Sequence, residues 1–168
     1  MKKFENKGKL KIWFSFQKPT EEKIRKNYPD LAPTIGNYVR TIRTGNFLFI
    51  SGCTAVGTED ENKDVITQAE CTIKRISLIV RDQGGLNSDI VKLVIYVTDM
   101  EDFRPRLSEF NNIVEKYFVG EYPTSTLVMT PGLAKASLRI EIDATVVFWH
   151  WPQKLTRLQY DSIHEYPW

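Results

Sequence analysis

Residues 137–149 read SLRIEIDATVVFW, and their reading decides the fold. Leu138, Ile140, Ile142, Ala144, Val146 and Phe148 alternate with Arg139, Glu141, Asp143 and Thr145. Successive side chains of a strand point to opposite faces, so a period of two predicts a β-strand with one buried and one polar face. An apolar strand face needs a layer packed on it, and the chain upstream supplies two helices.

Working outward, residues 67–85 (TQAECTIKRISLIVRDQGG) predict an amphipathic helix. Ile66, Ala69, Ile73, Ile76 and Val80 fall on one side, and Gly84-Gly85 stops it. VKLVIYVTD (91–99) reads as a strand too apolar for a sheet edge. EDFRPRLSEFNNIVEKYF (101–118) predicts a second helix burying Phe103, Leu107, Phe110, Val114 and Tyr117, with Pro105 tolerated near its start. STLVMT (125–130) adds a strand, and YVRTIRTGNFLFISG (38–52) adds two, joined by a tight turn at Thr44-Gly45-Asn46. A short helix is expected over residues 19–28, opened by Pro19 and closed by Tyr28-Pro29. The order ββαβαββ gives an α/β fold, one sheet covered on one face by two helices. The bare face requires another cover, which implies a homo-oligomer.

The chain of 168 residues suits one domain with an extension at each end: 1–34, then the domain at 35–149, then an aromatic tail at 150–168. Hydrophobic residues make up 42% and charged residues 26%, a globular balance that excludes wholesale disorder. A net charge of +2 with interspersed signs lacks the concentrated basic face that nucleic acid requires. The basic start, MKKFENKGKLK, is not followed by a secretory apolar core, and no apolar run reaches membrane-spanning length. Cys53 and Cys71 have no metal-ligand spacing, and both histidines, His150 and His164, lie in the tail. A reduced cytoplasmic protein with no metal, no cofactor and no membrane partner is expected.

Several strings in this order carry a resemblance: GNYVRTIRTGNFLFISG, VIYVTDMEDF with a helix ending in YF, YPTST, and GLAKASLRIEIDA. Together, over residues 33–148, they resemble the Rid (YjgF, reactive-intermediate deaminase) family. The Gly-Asn-Tyr start and the SG turn look closer to its aminomuconate-deaminase side. The resemblance implies a chorismate-mutase-like fold, a homotrimer, clefts between subunits that take a small molecule, and hydrolysis of imines or enamines to a ketone and ammonia. It implies site roles for Tyr38 near the first strand, for the turn glycine Gly52, and for Glu141 on the last strand. The family's carboxylate-gripping arginine stands two residues after the proline that opens the fourth strand. Here that proline is Pro123, and the position holds Ser125.

Glu141 then reads two ways: as the carboxylate that holds or deprotonates the attacking water, or as a solvated position of an alternating strand. Ser125 cannot reproduce a bidentate guanidinium grip. Either the substrate lacks that carboxylate, or Arg43, Arg104 or Arg139 supplies the charge, or the chain is a binding protein without the activity. Cys53, beside Gly52, is a substrate-contacting candidate with two readings, a nucleophile or a small packing residue.

Overall fold

The computed structural model describes residues 22–149. The aromatic tail, both histidines and the start of the helix expected at Pro19 lie outside the described residues. Strands β1 (Ile24–Lys26), β2 (Thr41–Thr44) and β3 (Phe47–Cys53) lead to helix α1 (Val65–Asp82) and strand β4 (Ile90–Val97). A short helix α2 (Met100–Phe103), a single 3-10 turn over Arg104–Arg106 and helix α3 (Leu107–Phe118) precede β5 (Thr124–Met129) and β6 (Ile140–Val147). One six-stranded sheet has the order β1-β2-β3-β6-β4-β5, antiparallel except for the β4/β5 pair. From β2 onward the order is the expected ββαβαββ.

The alternation in β6 is realised position by position. Leu138, Ile140, Ile142, Ala144, Val146 and Phe148 are all buried, while Glu141, Asp143 and Thr145 face the other side. β6 sits in the middle of the sheet, between β3 and β4, so its apolar row forms the floor of the core. Ala69, Ile73, Ile76, Ile79 and Val80 of α1 pack on that floor together with Phe110, Ile113 and Phe118 of α3. Asp64 caps α1, its carboxylate accepting from the N–H groups of Ile66 and Thr67. Thr44 pairs directly with Phe47, leaving Gly45-Asn46 as a two-residue turn with Gly45 at φ +56°.

Two expectations are corrected. The helix over 19–28 is not formed at its C-terminal end, where Ile24–Lys26 is β1, paired antiparallel with Arg43, Ile42 and Thr41. Lys26 and Tyr28 then both bind the Asp82 carboxylate at the end of α1, at 2.6 Å each. With Ala32 in the core, folded structure thus extends into the segment read as a terminal extension. Leu107, expected in the core, is 43% exposed. The 3-10 turn containing Pro105 resets the helical phase, so Ile113 and Phe118 are buried instead.

The face of the sheet opposite the helices carries Phe47 and Phe49, both exposed and stacked 6.2 Å apart. β5 forms one edge of the sheet and is exposed at all six positions. β3 breaks its own alternation. Leu48 and Ile50 are buried and alternate with exposed Phe47 and Phe49, but the next buried residue is Cys53. Opposite β6, Ile50 pairs with Ala144 and Cys53 with Ile142, so β3 carries one extra residue at Ser51-Gly52. This is a β-bulge, which interrupts the ladder and re-aims the chain.

Candidate active site

The bulge is where the site forms. A cavity of about 320 Å³ opens beside it, a size suited to a small metabolite. Its walls come from three stretches: Pro33, Ile35, Tyr38 and Arg40; then Ser51, Gly52, Thr54 and Val56; then Ala134, Leu138 and Glu141. Tyr38, Gly52 and Glu141, expected from sequence as site residues, are therefore brought together. Tyr38 is held by its hydroxyl, which accepts from the N–H of Ile35 at 3.3 Å.

Glu141 lies across from Gly52 on the neighbouring strand, and the missing Cβ of Gly52 is what admits it. A Cβ there would stand 2.9 Å from Glu141 Cγ, 2.6 Å from Cδ and closer still to Oε1. The carboxylate thus rests on bare backbone at the bulge. It is half-buried and accepts no hydrogen bond from any described residue. Burial pushes its pKa above the usual carboxylate value, Arg40 pulls it down, and Asp143 on the same face pushes it up. A carboxylate with a raised pKa and no partner is a competent proton acceptor, since it binds a proton more readily than an exposed one.

Arg40 is the residue that sequence reasoning missed. It is 3% exposed, and its guanidinium is consumed by main-chain carbonyls. Nε donates to Ala32 O at 3.0 Å, Nη2 to Pro33 O at 2.7 Å, and Nη1 to Ser51 O at 3.1 Å and to Gly52 O. One side chain therefore ties the 32–33 loop to the bulge, two walls of one cavity. A buried cation is tolerated when its donors are matched, and carbonyl dipoles do that here. Arg75, from α1, repeats the device one step further along, donating to Thr54 O and, at 2.8 Å, to Val56 O.

The third wall is fastened by Gln68 and Glu61. Gln68, fully buried on α1, donates to the carbonyls of Glu61, Lys63 and Ser137 and accepts from the N–H of Arg139. The Glu61 carboxylate accepts from the N–H of Gly57, from Lys135 and from Ser137 Oγ, and these bonds hold its pKa down at about 2.

Cys53 is not at the cavity. It is fully buried on the core side of the bulge, and burial pushes its thiol up to about 11. The substrate contact and the nucleophilic reading both require an accessible thiolate, which this position lacks. Ser125 is also elsewhere. It is in register with Leu93, whose side chain faces the helices, whereas Glu141 is in register with Tyr96 on the other face. Ser125 and Glu141 thus lie on opposite sides of the sheet within one copy. Of the three arginines considered as charge donors, none lines the cavity. Arg43 donates to Gln83 O and lies over the Phe148 ring, Arg104 pairs with Glu101, and Arg139 is exposed. No group of three His, Cys, Asp or Glu among the described residues could hold a metal ion, and no described helix is long and apolar enough to cross a membrane.

The sequence profile of the endoribonuclease L-PSP family matches residues 30–148. TdcF of Escherichia coli, whose name gives it provisionally as a reactive intermediate deaminase, is 30% identical over 118 residues, covering 67% of this chain and 88% of its own. A RutC family protein of Pyrococcus horikoshii is 32% identical over 113 residues, covering 66% and 86%. Among solved structures, the Rid-family protein YyfA of Yersinia pestis superimposes with a TM-score of 0.65 at 25% identity, over 76% of this chain and all of that one.

Proposed function

The chain belongs to the endoribonuclease L-PSP family, the Rid (YjgF) proteins, and on that premise we propose that it hydrolyses an imine or enamine in a cavity served by Glu141. The observation that carries this reading is the unpartnered, half-buried Glu141 carboxylate seated on the Gly52 bulge and facing the cavity. Water held by Glu141 attacks the electrophilic carbon of a protonated imine while its proton passes to the carboxylate. Glu141 then returns that proton to the carbinolamine nitrogen, the C–N bond breaks to release ammonia, and the hydroxyl proton passes to the departing ammonia, leaving the ketone and an ammonium ion. Tyr38 borders the mouth, and the bulge presents backbone to the substrate. Arg40 touches no reacting atom in this scheme: it fixes the walls and tempers the Glu141 charge.

The reading includes a homotrimer. The exposed Phe47 and Phe49 face and the fully exposed β5 edge need cover, and the opposed placement of Ser125 and Glu141 leaves a neighbouring copy as the means of uniting them. A cytoplasmic protein acting on a small molecule, with no nucleic-acid partner, fits the charge of +2. Glu141→Gln tests the proposal: turnover of an imine panel, read as ammonia release, falls by roughly 10²–10⁴-fold with melting temperature and oligomeric state unchanged. Full activity in that variant removes Glu141 from the chemistry. A second reading, a binding protein without turnover, is favoured by Ser125 standing where the family arginine would be. Saturable ligand binding with no ammonia released from any imine would establish it.

A further inference from the structure

The charges around the cavity restrict what can enter it. Its polar chemistry is one-sided: the Glu141 carboxylate is unpartnered, while the cations nearby are already engaged. Arg40, the one lysine or arginine among the lining residues, donates to four carbonyl oxygens. Lys135, beside the lining residue Ala134, is held by Glu61 at 2.9 Å. The rest of the wall is Pro33, Ile35, Val56 and Leu138, with Ser51 and Thr54, whose hydroxyls are engaged by Val39 O and the Val56 N–H, and the Tyr38 ring, over which the Arg40 guanidinium lies at 5.7 Å. Aromatic faces attract cations. Ser125 adds a hydroxyl, not a charge, to whatever surface β5 covers.

We propose that the cavity selects a small organic cation without a carboxylate, an iminium or protonated amine with an apolar substituent, and discriminates against amino-acid-derived imines. Its nitrogen sits on Glu141 and its substituent on the Leu138 and Val56 wall. A ligand carboxylate placed here meets Glu141 across the cavity and finds the Arg40 guanidinium committed to the main chain. A desolvated anion left without a counter-ion is strongly disfavoured, which makes the discrimination a matter of repulsion as much as attraction. The proposal rests on Glu141 facing the ligand and deepens the hydrolase reading, but does not depend on turnover.

The test is therefore a binding measurement on the full chain. Pyrrolidine, cationic at neutral pH, is titrated by calorimetry against L-proline, the same ring bearing a carboxylate, and cyclopentanecarboxylate, the anion alone. The expected result is saturable binding of pyrrolidine with both carboxylates at least about tenfold weaker, and loss of that preference in Glu141→Gln. Lys116→Ala, at an exposed side chain that pairs with Glu70 and lies outside the cavity, keeps the preference. Proline binding as tightly as pyrrolidine, or a preference that survives Glu141→Gln, overturns the proposal, as does failure of all three ligands to bind at millimolar concentration. Cation-selective binding without ammonia release from any imine leaves this inference standing and defeats the hydrolase reading.

Discussion

Gly52→Ala separates the geometry of the site from the stability of the fold. The backbone at Gly52 does not occupy the left-handed region, so alanine meets no conformational barrier there. What it meets is Glu141. The new Cβ would lie 2.6 Å from Glu141 Cδ where ordinary contact begins at 3.4 Å, so the carboxyl carbon must retreat by about 0.8 Å (3.4 − 2.6). Rotation of a half-buried side chain supplies that movement, at the expense of the position from which the carboxylate addresses the cavity. Against the strain, alanine reduces the freedom of the unfolded chain, which favours folding by about 0.4–1 kcal/mol. Stability should therefore stay within about 1 kcal/mol of wild type, read as the urea midpoint at constant m. Displacing a catalytic group by about 1 Å costs on the order of 10²-fold, so kcat/KM for ammonia release should fall by that factor. In a Glu141→Gln background the same substitution should add no more than about twofold, because both changes remove one interaction. A Gly52→Ala enzyme with kcat/KM within about threefold of wild type would refute the placement of Glu141 against the bulge as the basis of the chemistry.

Four further outcomes follow from the same geometry. If Glu141 acts as the base, kcat/KM rises with pH through a limb displaced above the ordinary carboxylate range, because burial raises its pKa; Arg40→Gln, removing the charge that lowers it, moves the limb further up, measured as a pH–rate profile. That variant also leaves main-chain carbonyls at Ala32, Pro33, Ser51 and Gly52 short of a donor, and loss of about 2–4 kcal/mol should appear as a lower urea midpoint. Cys53 should resist a thiol reagent in the native protein and react only on unfolding, and Cys53→Ala should keep its activity while losing about 1 kcal/mol of stability. Glu61, depressed from 4.5 to about 2, supports the fold above its unfolded pKa, and that support is lost as pH falls through its folded pKa; a melting-temperature titration should show an acid-side decline that Glu61→Gln flattens.

Much of this was legible in the chain. The β6 row of Leu138 to Phe148 and the apolar stripe of α1 declare their structure because each buries one face against a layer of matching period. The β1 strand was not legible, since residues 24–26 owe their conformation to pairing with β2, a partner found only in the folded sheet. Leu107 was misplaced because a single 3-10 turn at Pro105 shifts the helix phase by a fraction of a turn. Within the site, Tyr38, Gly52 and Glu141 were reached through resemblance and converge on one cavity. Cys53 was carried along by its position beside Gly52, although the bulge turns consecutive residues to different sides. Arg40 escaped because its partners are carbonyl oxygens, and no residue type in the sequence announces a carbonyl that lacks a donor.

The bulge also makes the site a matter of counting. Before it, buried residues of β3 fall on even numbers, Leu48 and Ile50; after it the parity changes, and Cys53 is the next one inside. In a strand, one residue more or less exchanges every inward position for an outward one. Removing either Ser51 or Gly52 would restore an unbroken ladder with β6 and return Cys53 to the same parity as Leu48 and Ile50 without turning it outward, so the core would close over the deletion. The cavity would not survive it, because the extra residue is what sets Gly52 beneath Glu141, and Ser51 and Gly52 each give a carbonyl to Arg40, one of which the deletion removes. Length at this one point, more than the chemistry of any neighbouring side chain, separates a sheet that has a pocket from a sheet that merely folds.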